Sequence, residues 1–222
     1  PSGERYTFFP SVSAGWRMSD EPFWDGLSAT VNEFKPRLSW GRSGNQNVGL
    51  YSYFDRLAVG NYYVFDNTSA TGVRQNALTS TGLSWETTTQ TNVGLDAAFF
   101  ENRLELTFDW LNKTTDGILL SLPVPGVLGL APAPTNAGSV KNVGWEVLLR
   151  HRGSWNELGY GLSFNLSDVR NEITDLAGTG PYFSGEKNWF IRQVGHPIDA
   201  LWGYRTDGYY TQEDLEAGYP TW

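Results

Sequence analysis

The chain has 222 residues, with 10 Trp, 11 Tyr, 12 Phe, no Cys and a formal net charge of −8. The absence of cysteine excludes a disulfide framework and thiolate metal sites, and the acidic balance argues against nucleic-acid binding, which needs basic patches. No apolar run approaches the roughly 20 residues of a membrane-spanning helix. Membrane strands expose only every second residue to lipid, so they are compatible with the mean hydropathy of −0.38.

Period-two alternation of apolar and polar residues predicts strands along most of the chain. The segments 104–120, 140–151 and 158–168 meet or exceed the about 9–11 residues of a membrane strand. The alternating apolar residues, in chain order, are Tyr6, Phe8, Val12, Ala14 and Trp16; Phe34, Leu38 and Trp40; Val93, Leu95, Ala97 and Phe99; Leu104, Leu106, Phe108 and Trp110; Val143, Trp145, Val147 and Leu149; and Leu158, Tyr160, Leu162, Phe164 and Leu166.

Short and long connections alternate along the chain. Antiparallel strands would therefore place the short turns at one end and the long loops at the other, as in bacterial outer-membrane barrels. The first long connection also contains a predicted hairpin, with YSYFDRLAV as one arm and NYYVFD as the other. The short connections are 18–32, 101–103 and 152–157, and the long ones are 43–80, 121–138 and 175–187.

Two all-β folds explain the alternation. An antiparallel sandwich would bury the apolar set between two sheets and leave the polar set in water. A membrane barrel would turn the apolar set to lipid and the polar set to its lumen. Loop asymmetry and strand length favour antiparallel up-and-down strands that form part of a large transmembrane β-barrel.

An ordered series of segments resembles the C-terminal barrel of SusC/RagA-type TonB-dependent outer-membrane transporters. The resemblance covers nearly the whole chain, and its specificity comes from the order of the segments rather than from any single motif. The segments are FFPSVSAGWRMSDEPFW, KPRLSWGRSGNQ, GLSWETTTQTNVGLDAAFFENRLELTFDW, KTTDGILL, PVPGVLGLAPAPTNAGSVKNVGWEVLL, FNLSDVRNEITDLAG and VGHPIDALWGYRTDGYY.

The resemblance implies that residues 1–222 are part of a barrel of about 22 strands, without the plug, the TonB box or the closing strand. It further implies a bacterial outer-membrane location, TonB-dependent import of glycans or less often peptides, and no catalysis. The implied partners are a SusD-like surface lipoprotein, the TonB complex and outer-membrane lipid. The alternative function is that of a soluble all-β domain that binds or processes carbohydrate.

Candidate functional residues fall into two groups. Glu105, Asp109, Glu146 and Arg150 are predicted to face the lumen, an interpretation preferred over a glycosidase carboxylate pair at Glu105 and Asp109. The loop aromatics are candidates for substrate binding, because aromatic faces stack on sugar rings. The favoured alternative is that they pack within their loops or contact a neighbouring subunit. These aromatics are Tyr51, Tyr53, Tyr62, Tyr63 and Trp189.

No catalytic, metal or cofactor site is predicted. The two histidines, His151 and His196, lie in separate segments without the spacing of a metal site. The acidic run at 212–216 is predicted to be a solvated helix or turn.

Overall fold

A computed structural model of the chain describes residues 6–46, 57–80, 82–205, 208–209 and 211–218. Strands dominate it, as the alternation predicts. Four single-turn 3-10 helices and one five-residue helix, α1 (Gln212–Glu216), complete the described elements; α1 confirms the expected helix or turn at the acidic run. The strands are β1 (Ser11–Gly15), β2 (Val31–Asn45), β3 (Leu57–Phe65), β4 (Thr68–Gln75), β5 (Glu86–Phe99), β6 (Leu104–Asp116), β7 (Leu119–Ser121), β8 (Pro134–Asn136), β9 (Ser139–Trp155), β10 (Leu158–Asp175), β11 (Tyr182–Ser184), β12 (Phe190–Arg192) and β13 (Ala200–Leu201).

Six strands form one antiparallel sheet in the order β1-β2-β5-β6-β9-β10, so each strand pairs with its neighbour in the up-and-down sequence. We call this sheet the wall. β10 is its longest strand, at 18 residues, and β1 its shortest, at 5. The fold confirms the predicted antiparallel up-and-down arrangement, and the wall is an open sheet that does not close on itself.

The connections confirm the predicted asymmetry of the wall. At one end, β5 reaches β6 through residues 100–103, and β9 reaches β10 through Asn156 and Glu157 alone. Asn156 takes the left-handed conformation (φ 54°) that two-residue hairpin turns require. At the other end, the long connections contain separate small sheets, β3–β4, β7–β8 and β11–β12–β13. We call these ends the short-turn end and the long-loop end.

The wall is not half of a sandwich. Its apolar side chains are exposed on β10 and partly exposed on β6, and over the described ranges no second sheet packs on them. The buried apolar cluster lies at the long-loop end instead, where Val140, Ile173 and Leu176 pack with partly buried side chains of the loops. The wall therefore carries no hydrophobic core of its own in the sense of a soluble domain.

One local prediction was wrong, and a second was right only in part. The strand predicted over 104–120 is broken at Gly117, whose φ of +66° ends β6, and the chain resumes as β7. The first long connection does contain a hairpin, but it pairs β3 with β4: NYYVF lies inside β3, and the turn is at Asp66 and Asn67. Both residues have positive φ, so they supply the turn, while Gly60 (φ +111°) lies at an irregularity in the pairing of β3 with β4. Residues 51–56 of the predicted first arm lie outside the described residues.

None of the helices in the described ranges is long and apolar enough to cross a membrane.

Candidate functional site

The strand register sorts the side chains of the wall onto two faces. Residues directly opposite each other on neighbouring antiparallel strands share a face, so matched residues form rows across the sheet. One row crosses all six strands on the polar face, and we call it the Arg37 row. Its members, from β1 to β10, are Gly15, Arg37, Gly94, Asp109, Glu146 and Ser167.

Arg37 joins three strands of the wall through two carboxylates. Its Nε lies 2.8 Å from Asp96 Oδ2, and its Nη2 donates to Asp96 Oδ1 at 3.1 Å and to Asp109 Oδ2 at 3.1 Å. All three side chains are about one-third exposed. A charged guanidinium that donates to two carboxylates makes charge-assisted hydrogen bonds, which are stronger than those between neutral groups.

Gly94 lets the Arg37 side chain cross β5. A Cβ atom built at Gly94 would lie 2.5 Å from Asp109 Oδ1 and 2.8 Å from Arg37 Cζ, closer than non-bonded atoms approach. Arg37 is on β2 and Asp109 is on β6, so the guanidinium reaches its second carboxylate only over a residue without a side chain. A side chain at position 94 would therefore displace the contact between β2 and β6 across the strand between them.

The four polar residues singled out from the sequence lie on this same face. Asp109 is directly opposite Glu146, a like-charge pair that is unfavourable unless a cation compensates it. Arg150 is opposite Glu105, and Glu105 Oε2 lies 3.9 Å from Arg150 Nη1. Glu105 Oε1 also lies 3.5 Å from Nη1 of Arg152, a residue that the sequence reasoning missed.

Small and neutral polar side chains form the floor of the polar face toward β1. Two adjoining open grooves, of about 310 and 350 Å³, share Ser13, Ser39 and Asn92 in their lining. The first groove also contacts Arg37 and Asp109, and the second contacts Gln90. Hydroxyl and amide groups both donate and accept, so this surface can bind polar, hydroxyl-rich or amide-bearing solutes through hydrogen bonds.

The opposite face is a band of apolar side chains with aromatic borders. Trp110 and Trp145 are directly opposite each other toward the long-loop end. Trp40 on β2 is in register with Thr91 and Asn112, two residues closer to that end than Trp110. Trp155 and Tyr160 lie toward the short-turn end. Between the tryptophans and the long-loop end the same face becomes polar, with Asn112 and Asp116 on β6 and Asp168, Arg170 and Glu172 on β10. The apolar band is thus limited along the strands, and the strands continue beyond it.

The loop aromatics that are candidates for substrate binding and lie in the described ranges belong to two separate elements. Tyr62 and Tyr63 are exposed neighbours on β3, and Tyr51 and Tyr53 lie outside the described residues. Trp189 instead lines an open cleft of about 550 Å³ with Trp202, Tyr204 and Arg205. Trp202 N donates to Trp189 O at 2.8 Å, which ties the two indole-bearing segments together.

Sequence reasoning missed Trp202, Tyr204 and Arg205, although the run LWGYR offered a signal in its two aromatics beside an arginine. It could not have paired this run with Trp189, because the pairing of β12 with β13 brings them together.

In the part of the chain that is described, no group of three His, Cys, Asp or Glu residues could hold a metal ion. His151 belongs to the apolar face, where its ring lies 5.6 Å from that of Tyr160.

Comparison with known proteins gives concordant matches. The family described as "TonB dependent receptor-like, beta-barrel" matches residues 2–221. The "TonB-dependent receptor P39" of Formosa agariphila is 32% identical over 213 residues, 96% of this chain and 20% of that protein. The "TonB-dependent receptor SusC" of Bacteroides thetaiotaomicron is 33% identical over 180 residues, 78% of this chain and 18% of that protein.

A solved structure shares the fold as well as the sequence. The "Structure of the RagAB peptide transporter" superposes with a TM-score of 0.78 at 29% identity and covers 89% of this chain and 21% of the matched chain. This chain spans about a fifth of the length of the relatives it matches.

Proposed function

The chain belongs to the TonB-dependent receptor-like β-barrel family and forms part of an outer-membrane barrel of the SusC/RagA type, and from this premise we propose that the protein containing it imports glycans in a TonB-dependent manner. In this proposal residues 1–222 are a segment of the barrel wall. The apolar face contacts lipid and the polar face lines the lumen, with Glu105, Asp109, Glu146 and Arg150 among the lumen-facing side chains.

The observation that carries the proposal is the two-faced wall itself. An apolar band with aromatic borders suits a bilayer, which has a hydrocarbon interior and two polar interfaces. The opposite face carries ion pairs and hydroxyl-lined grooves, which suit a water-filled passage. A soluble carbohydrate-binding domain would have to cover Leu106 and Phe108, and within the described ranges no second sheet does so.

Glycan cargo is favoured by the aromatic cleft at the long-loop end. Indole and phenol faces stack on the apolar faces of sugar rings, and Trp189, Trp202 and Tyr204 line one cleft together with Arg205. In this proposal Tyr51, Tyr53, Tyr62, Tyr63 and Trp189 contribute to capture from the outside. Peptide import is the second candidate, because the similar solved structure is described as a peptide transporter.

The proposed partners follow from the family. Import against a gradient needs energy, which the TonB complex would supply. In this proposal the segment that binds TonB and the plug that gates the lumen both lie outside these 222 residues. A SusD-like surface lipoprotein would close the long-loop end and deliver the cargo. The family is a class of transporters, so the protein is proposed to bind and pass its cargo without chemical change.

Uptake by cells that express the full-length protein tests the proposal. Radiolabelled oligosaccharides and oligopeptides are offered separately, with and without a functional TonB complex. We expect TonB-dependent accumulation of oligosaccharide. TonB-dependent accumulation of peptide alone would overturn the glycan assignment but would still support TonB-dependent import. Accumulation that does not require TonB would overturn TonB-dependent import.

The cleft is tested by two matched tryptophan variants. Trp202→Ala removes one stacking face and is expected to weaken oligosaccharide binding by roughly tenfold, since stacking of a ring on an indole contributes about 1–3 kcal/mol in nucleic-acid complexes. Trp155→Ala removes an indole at the other end of the wall and should leave binding unchanged once surface expression is equalised. Equal oligosaccharide binding by both variants and the parent would show that the cleft is not part of the cargo site.

A further inference from the structure

The connection between β1 and β2, residues 16–30, is an ordered element and not a simple turn. It contains two 3-10 helices, Met18–Asp20 and Pro22–Trp24. Leu27 N donates to Trp24 O at 2.8 Å, and Val31 N donates to Leu27 O at 2.8 Å. Phe100 N of the neighbouring short turn donates to Thr30 O at 3.0 Å. The connection is therefore held in one shape and fixed to the adjacent hairpin.

This connection folds back onto the apolar face of the wall. The Trp24 ring stacks on that of Phe34, with centroids 5.1 Å apart and 25° between the ring planes. Phe34 is in register with Ala97, and Ala97 with Leu106, so its side chain belongs to the apolar face. Trp24 is buried by this contact, and its Nε1 donates to Val31 O at 3.1 Å. The connection thus extends the apolar face beyond the ends of the strands.

Large apolar side chains remain exposed around the buried Trp24. Phe23 is 61% exposed, Leu27 53% and Trp16 50%. The Phe23 ring lies edge-on to both Trp16 and Trp24, at centroid distances of 6.1 and 6.3 Å. Leaving such a patch in water is unfavourable, because each Å² of apolar surface contributes roughly 25 cal/mol when it is removed from water.

The charges of the connection indicate which lipid headgroups it can bind. Arg17 is its one cation, and it already pairs with Asp20 at 3.8 Å and with Glu33 of β2 at 3.1 Å. Glu21 and Asp25 add two further carboxylates. Segments that bind anionic lipid present lysine and arginine around an apolar face. This segment presents an excess of carboxylates, which anionic headgroups would repel and which the ammonium groups of zwitterionic phospholipids can neutralise.

We propose that residues 16–30 form an interfacial anchor that sits in the headgroup region of the membrane leaflet at the short-turn end and selects zwitterionic over anionic phospholipid. Phe23 and Leu27 enter the acyl boundary, and the carboxylates of Asp20 and Asp25 meet the ammonium headgroups. The occupant is lipid because the anchor is continuous with the lipid-facing band through the Trp24–Phe34 stack. The inference rests on the barrel fold and is independent of the cargo.

Depth-dependent quenching in the reconstituted full-length protein tests this anchor. The 222 residues contain no cysteine, so Leu27→Cys and the matched control Asp20→Cys each create one labelling site among them for an environment-sensitive fluorophore, in a full-length background from which any other cysteine has been removed. The vesicles contain phosphatidylethanolamine and phosphatidylcholine with brominated acyl chains. We expect a blue-shifted emission at position 27 and bromine quenching roughly threefold greater there than at position 20. Replacing the zwitterionic lipid with phosphatidylglycerol should reduce quenching at position 27.

Each other outcome overturns a stated part of the inference. Equally weak quenching at positions 27 and 20 would place the connection in water, and equally strong quenching would contradict the headgroup position given to the carboxylates. Shielding of position 27 from both brominated lipid and aqueous iodide would mean that protein covers it. Quenching that persists in phosphatidylglycerol would overturn the headgroup selectivity. Phe23→Cys serves as a second lipid-facing variant if Leu27→Cys fails to give a folded barrel by electrophoretic mobility.

Discussion

The two faces of the wall reverse the usual relation between polarity and exposure. On the apolar face Leu162 is 66% exposed, whereas on the polar face the Arg37 side chain is 34% exposed and held by two carboxylates. In a soluble domain such a leucine would be buried and such an arginine would be solvated. This difference supports the proposed assignment of the faces, in which hydrocarbon replaces water outside the apolar face and exposure there does not destabilise the fold.

The largest expected effect comes from placing a charge on the apolar face. Leu106→Arg should destabilise the reconstituted full-length barrel by about 2–4 kcal/mol if residue 106 lies near the bilayer midplane. Thr107→Arg, one residue away on the polar face, should cost much less because its guanidinium remains hydrated. Denaturant titration in lipid vesicles measures both variants, and equal costs would contradict the assignment of the faces.

The same pair of positions can be tested without a charge. Cysteine at position 106 should react with a maleimide dissolved in the lipid phase, and cysteine at position 107 with a water-soluble one. The reverse pattern would place the lumen on the other side of the sheet.

A smaller effect is expected from removing the cation of the polar face. Arg37→Gln leaves Asp96 and Asp109 without their partner, with Glu146 directly opposite Asp109. Since these groups are only partly buried, the expected loss is about 1–2 kcal/mol, less than for a fully buried pair. Adding Asp109→Asn should recover part of that loss. If the single variant were as stable as the parent at low salt, the Arg37 contacts would contribute nothing.

The smallest effect tests the crossing over β5. Gly94→Ala should displace the Arg37 and Asp109 side chains and cost about 1 kcal/mol or less, because the atoms in its way are the ends of flexible side chains. Gly161→Ala on the polar side of β10 is the matched control, since a Cβ there meets nothing within 4 Å. The thermal unfolding midpoints of the two variants separate the loss of a specific contact from the general effect of replacing a glycine. Identical shifts of the two midpoints would contradict the role given to Gly94.

The strands that could be predicted from the sequence are those that cross the apolar band. Residues 158–166 alternate strictly, because one face must be apolar and the other polar throughout. The first half of β5, Glu86–Asn92 in sequence ETTTQTN, gives no such signal, because threonine and other polar residues occupy both faces there. The break at Gly117 was missed because the apolar run 118–120 follows it directly and no proline interrupts the segment.

The polar face could be predicted only one residue at a time. Alternation placed Glu105, Asp109, Glu146 and Arg150 on one face, and the register agrees. The link between Arg37 and Asp109 depends on the pairing of three strands and on the missing side chain of Gly94, and neither is visible in local sequence. The aromatic cleft has the same origin, because it joins residues from separate turns of the last long segment.

The unequal connections also set an order of events during folding. The connection from β2 to β5 is roughly ten times as long as that from β5 to β6, which adds about 2 kcal/mol to the entropy cost of closing it. Hairpins at the short-turn end should therefore close first, within microseconds for an isolated hairpin. The loop sheets β3–β4 and β7–β8 shorten the effective length of the long connections once they form. Assembly of the wall is thus expected to proceed like a zipper, from the short turns toward the loops.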